Sequence, residues 1–322
     1  MGQYEVTVAA IRVLTPTIHE LLLRSKDGSA LQSYAPGAHV EIDVETGTRP
    51  YSLLGGTPDA DDPPDTYRIM VERRAEGSGG SLFLCDKVDV GATLGISAPR
   101  NNFALDTHPA NRLLIAGGVG IAPIYAMARQ LKRLGRPFDL VYVARDADQM
   151  AYRDEIAAVS PNSVLFHVES AEAASLDVKP LFKKLVYPSE VYVCGTHGLN
   201  KAVVAVASAN GLSRLQTHEQ CFAPPPVVVL DNAPFEVLLR LTGVELKIPA
   251  DATILETMLA NGITPKFYCG RGECGICPMT VVSADGPLEH RDHVLKPEEK
   301  ESGKRICICV SRVKGSRLVL DA

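Results

Sequence analysis

The chain has 322 residues, too long for one ordinary core and suited to two or three domains. Hydrophobic residues make up 46% and charged residues 22%; the net charge of −5, with Arg and Lys scattered rather than blocked, argues against a nucleic acid or an anionic membrane as partner. No run of about 18 apolar residues occurs, so no spanning helix is expected. The start, Met1-Gly2-Gln3-Tyr4-Glu5, has no signal-peptide pattern, and Val6 stands where a myristoylation motif wants Ser or Thr.

From Tyr4 to about Asp106 the pattern is short and β-rich, with strands expected at Tyr4–Val13, Ile18–Arg24, His39–Val44, Arg49–Leu54 and Tyr67–Arg73. Turn-rich runs such as Tyr34-Ala35-Pro36-Gly37 separate them, and Gly80–Asp86 reads as one short helix. Such spacing predicts a small antiparallel barrel. From Asn111 to about Gln220 strands and helices alternate: Arg112–Ala116, a glycine loop, a helix through Leu134, then strands at Asp139–Ala144, Ser163–Val168 and Glu190–Cys194 and a helical stretch at Leu199–Ser208. Alternation of this kind predicts a parallel sheet covered by helices. Phe222–Pro234 holds four prolines and reads as a stiff linker. Beyond it, Phe235–Leu241 and Val244–Ile248 flank Thr242-Gly243 as a hairpin. Thr253 and Glu256 are spaced as a capping box for a helix to Ala260, stopped by Asn261-Gly262, and a last strand is expected near Arg317–Leu320.

The eight cysteines are unevenly placed: Cys85, Cys194 and Cys221 stand alone, while the rest cluster late. With no signal peptide, a reducing, cytoplasmic setting is expected, where clustered cysteines are metal ligands rather than disulfides. Cys269-Gly-Arg-Gly-Glu-Cys274-Gly-Ile-Cys277 has the C-x4-C-x2-C spacing of a plant-type [2Fe–2S] site. Two irons need four thiolates, and a tight loop supplies three. Gly270, Gly272 and Gly275 let the backbone wrap close to the inorganic sulfides. Zinc also takes four cysteines, but its loops carry two C-x2–4-C pairs, and the downstream partner here is not such a pair. The fourth ligand is Cys307 or Cys309, both in Arg-Ile-Cys-Ile-Cys-Val-Ser-Arg; if that segment is a strand, both point to one face.

These residues resemble the plant-type ferredoxin segment of the phthalate dioxygenase reductase and vanillate demethylase reductase family, as do Glu289-His290-Arg291-Asp292, the Glu-Glu-Lys run at 298–300 and the Leu318-Val319-Leu320-Asp321 ending. In that family the ligand directly precedes Val-Ser-Arg, which implies Cys309, with Cys307 a small buried hydrophobe. Arg49-Pro50-Tyr51-Ser52-Leu53 matches the family's R-x-Y-S-L flavin signature, and Val71-Glu72-Arg73 and Gly79-Gly80-Ser81 also match its pattern. Arg49 suits a phosphate, Tyr51 offers a ring to the isoalloxazine, Ser52 a hydroxyl near flavin N5, and Leu53 continues the strand. Amides at Gly80 and Ser81, opening a helix, suit a phosphate. The resemblance implies FMN as the flavin. It places Ser78 where a basic residue can stand, with Arg74 as a substitute.

Ala116-Gly117-Gly118-Val119-Gly120-Ile121-Ala122-Pro123 follows an apolar strand and opens a helix, a seat for pyrophosphate. Pro123 occupies the third glycine's place, so the form resembles the family's pyridine-nucleotide loop rather than a Rossmann fingerprint. The resemblance puts Cys194-Gly195 beside the nicotinamide and Glu219 near the flavin. Cys221 departs from the family, where an aromatic residue is usual, and Phe222 follows it. Arg145 could meet a 2′-phosphate and Asp146 a ribose hydroxyl; the resemblance favours NADH.

The implied fold is multidomain: an antiparallel β-barrel flavin domain (1–107), an α/β parallel-sheet NAD domain (108–222), a linker (223–234) and an α+β, β-grasp ferredoxin domain (235–322). The implied activity is NADH oxidation with electrons passing through FMN to the [2Fe–2S] cluster and on to a terminal Rieske-type aromatic oxygenase or O-demethylase. No acid–base dyad is required, so no catalytic side chain is nominated. The segment from Phe235 carries 12 acidic and 12 basic side chains, so no strongly basic partner is implied. The alternatives are direct reduction of ferric iron or a quinone, and service to another monooxygenase such as a cytochrome P450.

Overall fold

The computed structural model describes residues 4–55, 63–75, 79–159, 163–169, 175–185, 189–213, 215–222, 232–267, 272, 275–292 and 294–322. The chain divides into two compact units, residues 1–223 and 224–322. Among the described residues no helix is long and apolar enough to cross a membrane.

The first unit opens with β1 (Tyr4–Val13), β2 (Ile18–Ser25), β3 (His39–Val44), β4 (Gly47–Ser52), β5 (Thr66–Glu72) and β6 (Thr93–Ile96), with α1 (Gly80–Asp86) before the last. They form one sheet in the order β4-β3-β6-β1-β2-β5, and its pairs are antiparallel. An isolated bridge between Leu53 and Ile69, and a bond from the Leu54 amide to the Arg68 carbonyl at 2.9 Å, join β4 to β5 and close the barrel. Period-two alternation turns Val6, Val8, Leu21, Leu23, Val40, Ile42, Ile69 and Val71 into the barrel core. The strand expected at Arg49–Leu54 begins two residues earlier and ends at Ser52.

The second half of this unit holds β7 (Asn111–Gly117), α2 (Ile121–Arg133), β8 (Phe138–Ala144), α3 (Arg153–Val159), β9 (Val164–Val168), α4 (Lys179–Phe182), β10 (Ser189–Gly195), α5 (His197–Ala209) and β11 (Thr217–Cys221). The strands are parallel in the order β11-β10-β7-β8-β9. Runs such as Leu113–Ala116 and Val191–Cys194 are buried, as strands covered on both faces must be. The order reverses between β7 and β10, and ligands of such sheets bind outside the carboxyl ends at that reversal. The barrel residues Ile18, Leu54 and Met70 share a core cluster with Leu114, Ile124 and Met127, so barrel and sheet pack as one body.

The second unit contains β12 (Phe235–Leu239), β13 (Val244–Ile248), α6 (Ile254–Ala260), β14 (Pro278–Ala284), β15 (Leu288–Glu289), α7 (Pro297–Ser302), β16 (Arg305–Cys307), β17 (Arg312–Val313) and β18 (Arg317–Leu320). Its main sheet runs β13-β12-β18-β14-β16, with β12 and β18 parallel and the other pairs antiparallel. Ile254, Leu255 and Met258 of α6 pack into its core, completing an α+β module. The expected capping box is present: the Glu256 amide donates to Thr253 Oγ1 at 3.1 Å, and the Thr253 amide donates to Glu256 Oε2 at 2.7 Å. Most of the proline-rich linker lies outside the described residues.

Candidate functional site

Three groups of predicted residues come to three places. The first lies where β4 meets the start of α1. Arg49 folds back to donate to the carbonyls of Thr48 (2.7 Å) and Thr46 (3.0 Å). A Cβ at Gly80 would fall 2.8 Å from Arg49 Cγ, so any other residue there would push this arginine aside. Gly79, at φ 83°, makes the turn into the helix. Tyr51 is half-buried, and its phenol is pushed up to about 12, mainly by burial. Ser52 is 3% exposed, and its Oγ has no hydrogen-bond partner. A buried hydroxyl without a partner is costly unless a ligand completes it. Leu53, just past β4, is fully buried in the barrel core and bridges to Ile69, so its contribution is to the barrel wall.

The remaining matches here are engaged with one another. Arg73 makes a two-pronged pair with Asp86, both bonds 2.8 Å, at the far end of α1 from Gly80. Glu72 accepts from Arg74 Nε at 2.6 Å. The Arg74 amide donates to Ser81 Oγ at 3.2 Å, which ties this segment to the first turn of α1. Ser78 lies outside the described residues. The orphaned Ser52 hydroxyl, the exposed edge of Tyr51 and the cradle of Arg49 on Gly80 fit the ring and phosphate of a flavin.

The second place is the carboxyl edge of the parallel sheet. Gly117 ends β7, and residues 118–120 make one tight turn into α2. A Cβ at Gly120 would stand 2.1 Å from the Cys194 carbonyl oxygen. A Cβ at either Gly117 or Gly195 would fall 3.3 Å from the other's Cα. The two strand ends therefore touch through bare backbone. Pro123 sits in the first turn of α2, where its missing N–H has no intrahelical partner to lose. Cys194 is fully buried, and burial pushes its thiol up, so it is a neutral thiol whose backbone faces Gly120. Arg145 and Asp146 are exposed just past β8. Glu219 is exposed on β11, opposite Val193; Cys221 is buried opposite Gly195, and Phe222 packs against the shared core.

Sequence reasoning missed two residues here. Thr196, directly after Gly195, caps α5 by accepting the Leu199 amide at 3.3 Å. Asn200, 2% exposed, donates to the Gln220 carbonyl at 2.9 Å and so fixes α5 to the end of β11. The cap was signalled by a Thr at a strand end before a helical run; nothing local signalled Asn200.

The third place is in the second unit. Cys269, Cys274 and Gly270 lie outside the described residues. Cys277, Cys307 and Cys309 are all buried, none in a disulfide, and the Sγ atoms of Cys277 and Cys309 are 3.1 Å apart. Thiols of Cys307 and Cys309 hold Cys277 well below the usual thiol value, which suits a thiolate ligand. Cys307 and Cys309 do not lie on one strand. β16 ends at Cys307, and a turn follows, with the Val310 and Ser311 amides donating to the Cys307 carbonyl at 3.3 and 3.0 Å. Gly272 has φ 74°, and a Cβ there would lie 2.7 Å from Val310 Cγ2; Gly275 has φ 71° and would press on Val294 Cγ1 at 3.0 Å. At both positions the positive φ and the close neighbours favour glycine. The buried thiols and the closely packed Gly272 and Gly275 fit an iron–sulfur cluster. Among the described residues no group of three metal-ligating side chains is assembled, two of the four expected ligands lying outside them.

Comparison with known proteins places two of these regions in known domain families. Residues 239–314 match the family model of the 2Fe-2S iron-sulfur cluster binding domain, and residues 114–205 that of the oxidoreductase NAD-binding domain. The phthalate 4,5-dioxygenase oxygenase reductase subunit of Pseudomonas putida is 35% identical over 93% of this chain and 90% of its own. Tetrachlorobenzoquinone reductase of Sphingobium chlorophenolicum is 34% identical over 98% of this chain and 97% of its own. The solved structure of phthalate dioxygenase reductase, a modular structure for electron transfer from pyridine nucleotides to [2Fe–2S], is 32% identical and superposes with a TM-score of 0.76, covering 99% of this chain and 97% of its own. The chain belongs to the phthalate dioxygenase reductase family, NADH-dependent oxidoreductases that pass electrons from NADH through FMN to a [2Fe–2S] cluster.

Proposed function

We propose that this chain is the reductase component of a Rieske-type aromatic oxygenase or O-demethylase and works in the cytoplasm. The reading rests on its likeness, over nearly the whole chain, to the reductase subunit of phthalate 4,5-dioxygenase. In this reading the flavin domain spans 1–107, the NAD domain 108–222, a linker 223–234 and the ferredoxin domain 235–322.

A flavin accepts an electron pair from NADH and releases electrons singly, which a [2Fe–2S] cluster requires. The residues of this chain supply position. Arg49, with the amides of Gly79, Gly80 and Ser81, would hold the FMN phosphate. Tyr51 would cover the ring, and the unpartnered Ser52 hydroxyl would bond its reacting edge. Leu53 keeps this strand in the barrel wall, and Glu72 and Arg73 brace the segment beside α1. Gly117, Gly118 and Gly120, with Pro123 opening α2, would admit the NADH pyrophosphate. Cys194 and Gly195 would face the nicotinamide through backbone. Asp146 would take the ribose hydroxyl, with Arg145 beside it, and Glu219 would close the edge near the flavin. Cys269, Cys274, Cys277 and Cys309 would ligate the cluster.

A second reading has one specific support, the comparable likeness to a quinone reductase, 34% identical over 98% of this chain. Steady-state assays separate the two. The proposal expects NADH oxidation coupled to product formation by a purified Rieske-type oxygenase, lost in Cys309→Ser. Fast benzoquinone reduction that survives Cys309→Ser, with no coupling to any oxygenase supplied, would favour the quinone instead.

A further inference from the structure

One charged group beside the cluster loop has no part in the roles above. Asp292 is 3% exposed. Its carboxylate accepts the Leu295 amide at 2.8 Å, the Val294 amide at 3.2 Å and Ser311 Oγ at 3.3 Å. Lys300 Nζ lies 3.5 Å from the same carboxylate, and His290 Nδ1 lies 3.6 Å away. Burial alone would raise this acid, but the Leu295 amide, the Lys300 ammonium and the Val294 amide hold it below the usual carboxylate value, so it is ionised.

The position of this charge is what matters. A Cβ at Gly272, between Cys269 and Cys274, would stand 3.0 Å from Asp292 Cα, so the two backbones are in contact. Ser311, fully buried and two residues past Cys309, grips the carboxylate from the other side. Asp292 thus meets Gly272 on one hand and Ser311, two residues past Cys309, on the other. Adding an electron to a cluster adds negative charge, which a fixed anion opposes and a fixed cation favours. In a dry, low-dielectric setting such effects are strong, and outer-shell charge and hydrogen bonding are recognised levers on cluster potential.

We propose that the Asp292–Lys300 pair sets the reduction potential of the [2Fe–2S] cluster, Asp292 holding it down and Lys300 raising it. The inference rests on the reading of Cys269, Cys274, Cys277 and Cys309 as ligands. Lys300 is partly exposed, its side chain 29% accessible against 0% for Asp292, so water screens it and its effect is the smaller.

The test is the cluster midpoint potential of the full-length holoprotein by spectroelectrochemistry, with iron content and visible spectrum recorded alongside. Asp292→Asn, which keeps the shape and loses the charge, is expected to shift the potential positive by tenfold or more in the reduced-to-oxidised ratio, about 59 mV for one electron. Lys300→Gln is expected to shift it the other way, by less. A purely structural role predicts lost iron with no ordered shift in what remains. An unchanged or negative-going potential in Asp292→Asn with iron retained overturns the proposal. Should Asp292→Asn lose its iron, an unchanged potential in Lys300→Gln overturns it instead. Absence of iron from the unmutated protein would sink the cluster reading itself, a distinct failure.

Discussion

The two candidate cofactor seats of the first unit are built by different means. Beside the barrel, side chains predominate among the candidate contacts, joined by the amides that open α1: a folded-back Arg49, the half-buried ring of Tyr51 and a Ser52 hydroxyl left without a partner. At the sheet edge the deciding feature is missing side chains. Gly117, Gly120 and Gly195 bring two strand ends and a helix start into backbone contact. A side-chain seat loses affinity in increments as groups are removed. A backbone seat has no increments, because any added atom displaces the frame.

Four substitutions test that contrast, from the largest effect to the smallest. Gly120→Ala forces a Cβ onto the Cys194 carbonyl, 2.1 Å away. Flavin reduction by NADH should slow by about 10²-fold, the scale of an ångström-level misplacement, with about 1–3 kcal/mol of stability lost to overpacking. Normal stopped-flow reduction in this variant would break the contrast outright. Arg49→Ala removes a charged donor worth about 1.5–3 kcal/mol. FMN should bind about tenfold to a hundredfold more weakly, measured as flavin retained on gel filtration, while the fold and iron content stay intact.

Ser52→Ala is subtler and more diagnostic. The hydroxyl is an orphan without ligand, so the flavin-free protein should melt no lower than wild type. With FMN bound, NADH reduction should slow by less than about tenfold, the worth of a neutral hydrogen bond. A lowered melting temperature in the flavin-free form would show that Ser52 serves the barrel instead. Asp146→Ala should produce the smallest change, a few-fold rise in KM for NADH with kcat unchanged, because the side chain is exposed and surface contacts are weak. Equal KM values for NADH in variant and wild type would remove Asp146 from the seat.

Sequence patterning disclosed most of the long elements and few of the short ones, although the seven residues of β14 went unread and the four of β18 were expected. β1 and β3 carry enough alternation to be read directly, and the Thr253/Glu256 box announces α6. The four residues of β6 and the two or three of β15, β16 and β17 are too short to show a period, and they exist because long-range pairing supplies their partners. β11, Thr-His-Glu-Gln-Cys, is polar because it is an edge strand, so it lacks the apolar run of its neighbours. The glycine loops and cysteine spacing were legible because their chemistry constrains residue type at fixed intervals. What those intervals omit is who meets whom. The pairing of Arg73 with Asp86 and the placing of Asp292 under Gly272 join residues distant in sequence. The strand at 305–307 stops one turn too early for an alternation argument to choose between Cys307 and Cys309.

Electrons are expected to run without a break from NADH to a cluster that needs Cys309. Freeze-quench electron paramagnetic resonance of the anaerobic, full-length protein mixed with NADH tests it directly. A reduced [2Fe–2S] signal should appear in wild type and in Cys307→Ser, and should be missing in Cys309→Ser although its flavin absorbance still bleaches. A cluster signal that persists in Cys309→Ser and vanishes in Cys307→Ser would contradict the ligand set, and failure of NADH to reduce either centre in wild type would contradict the path itself.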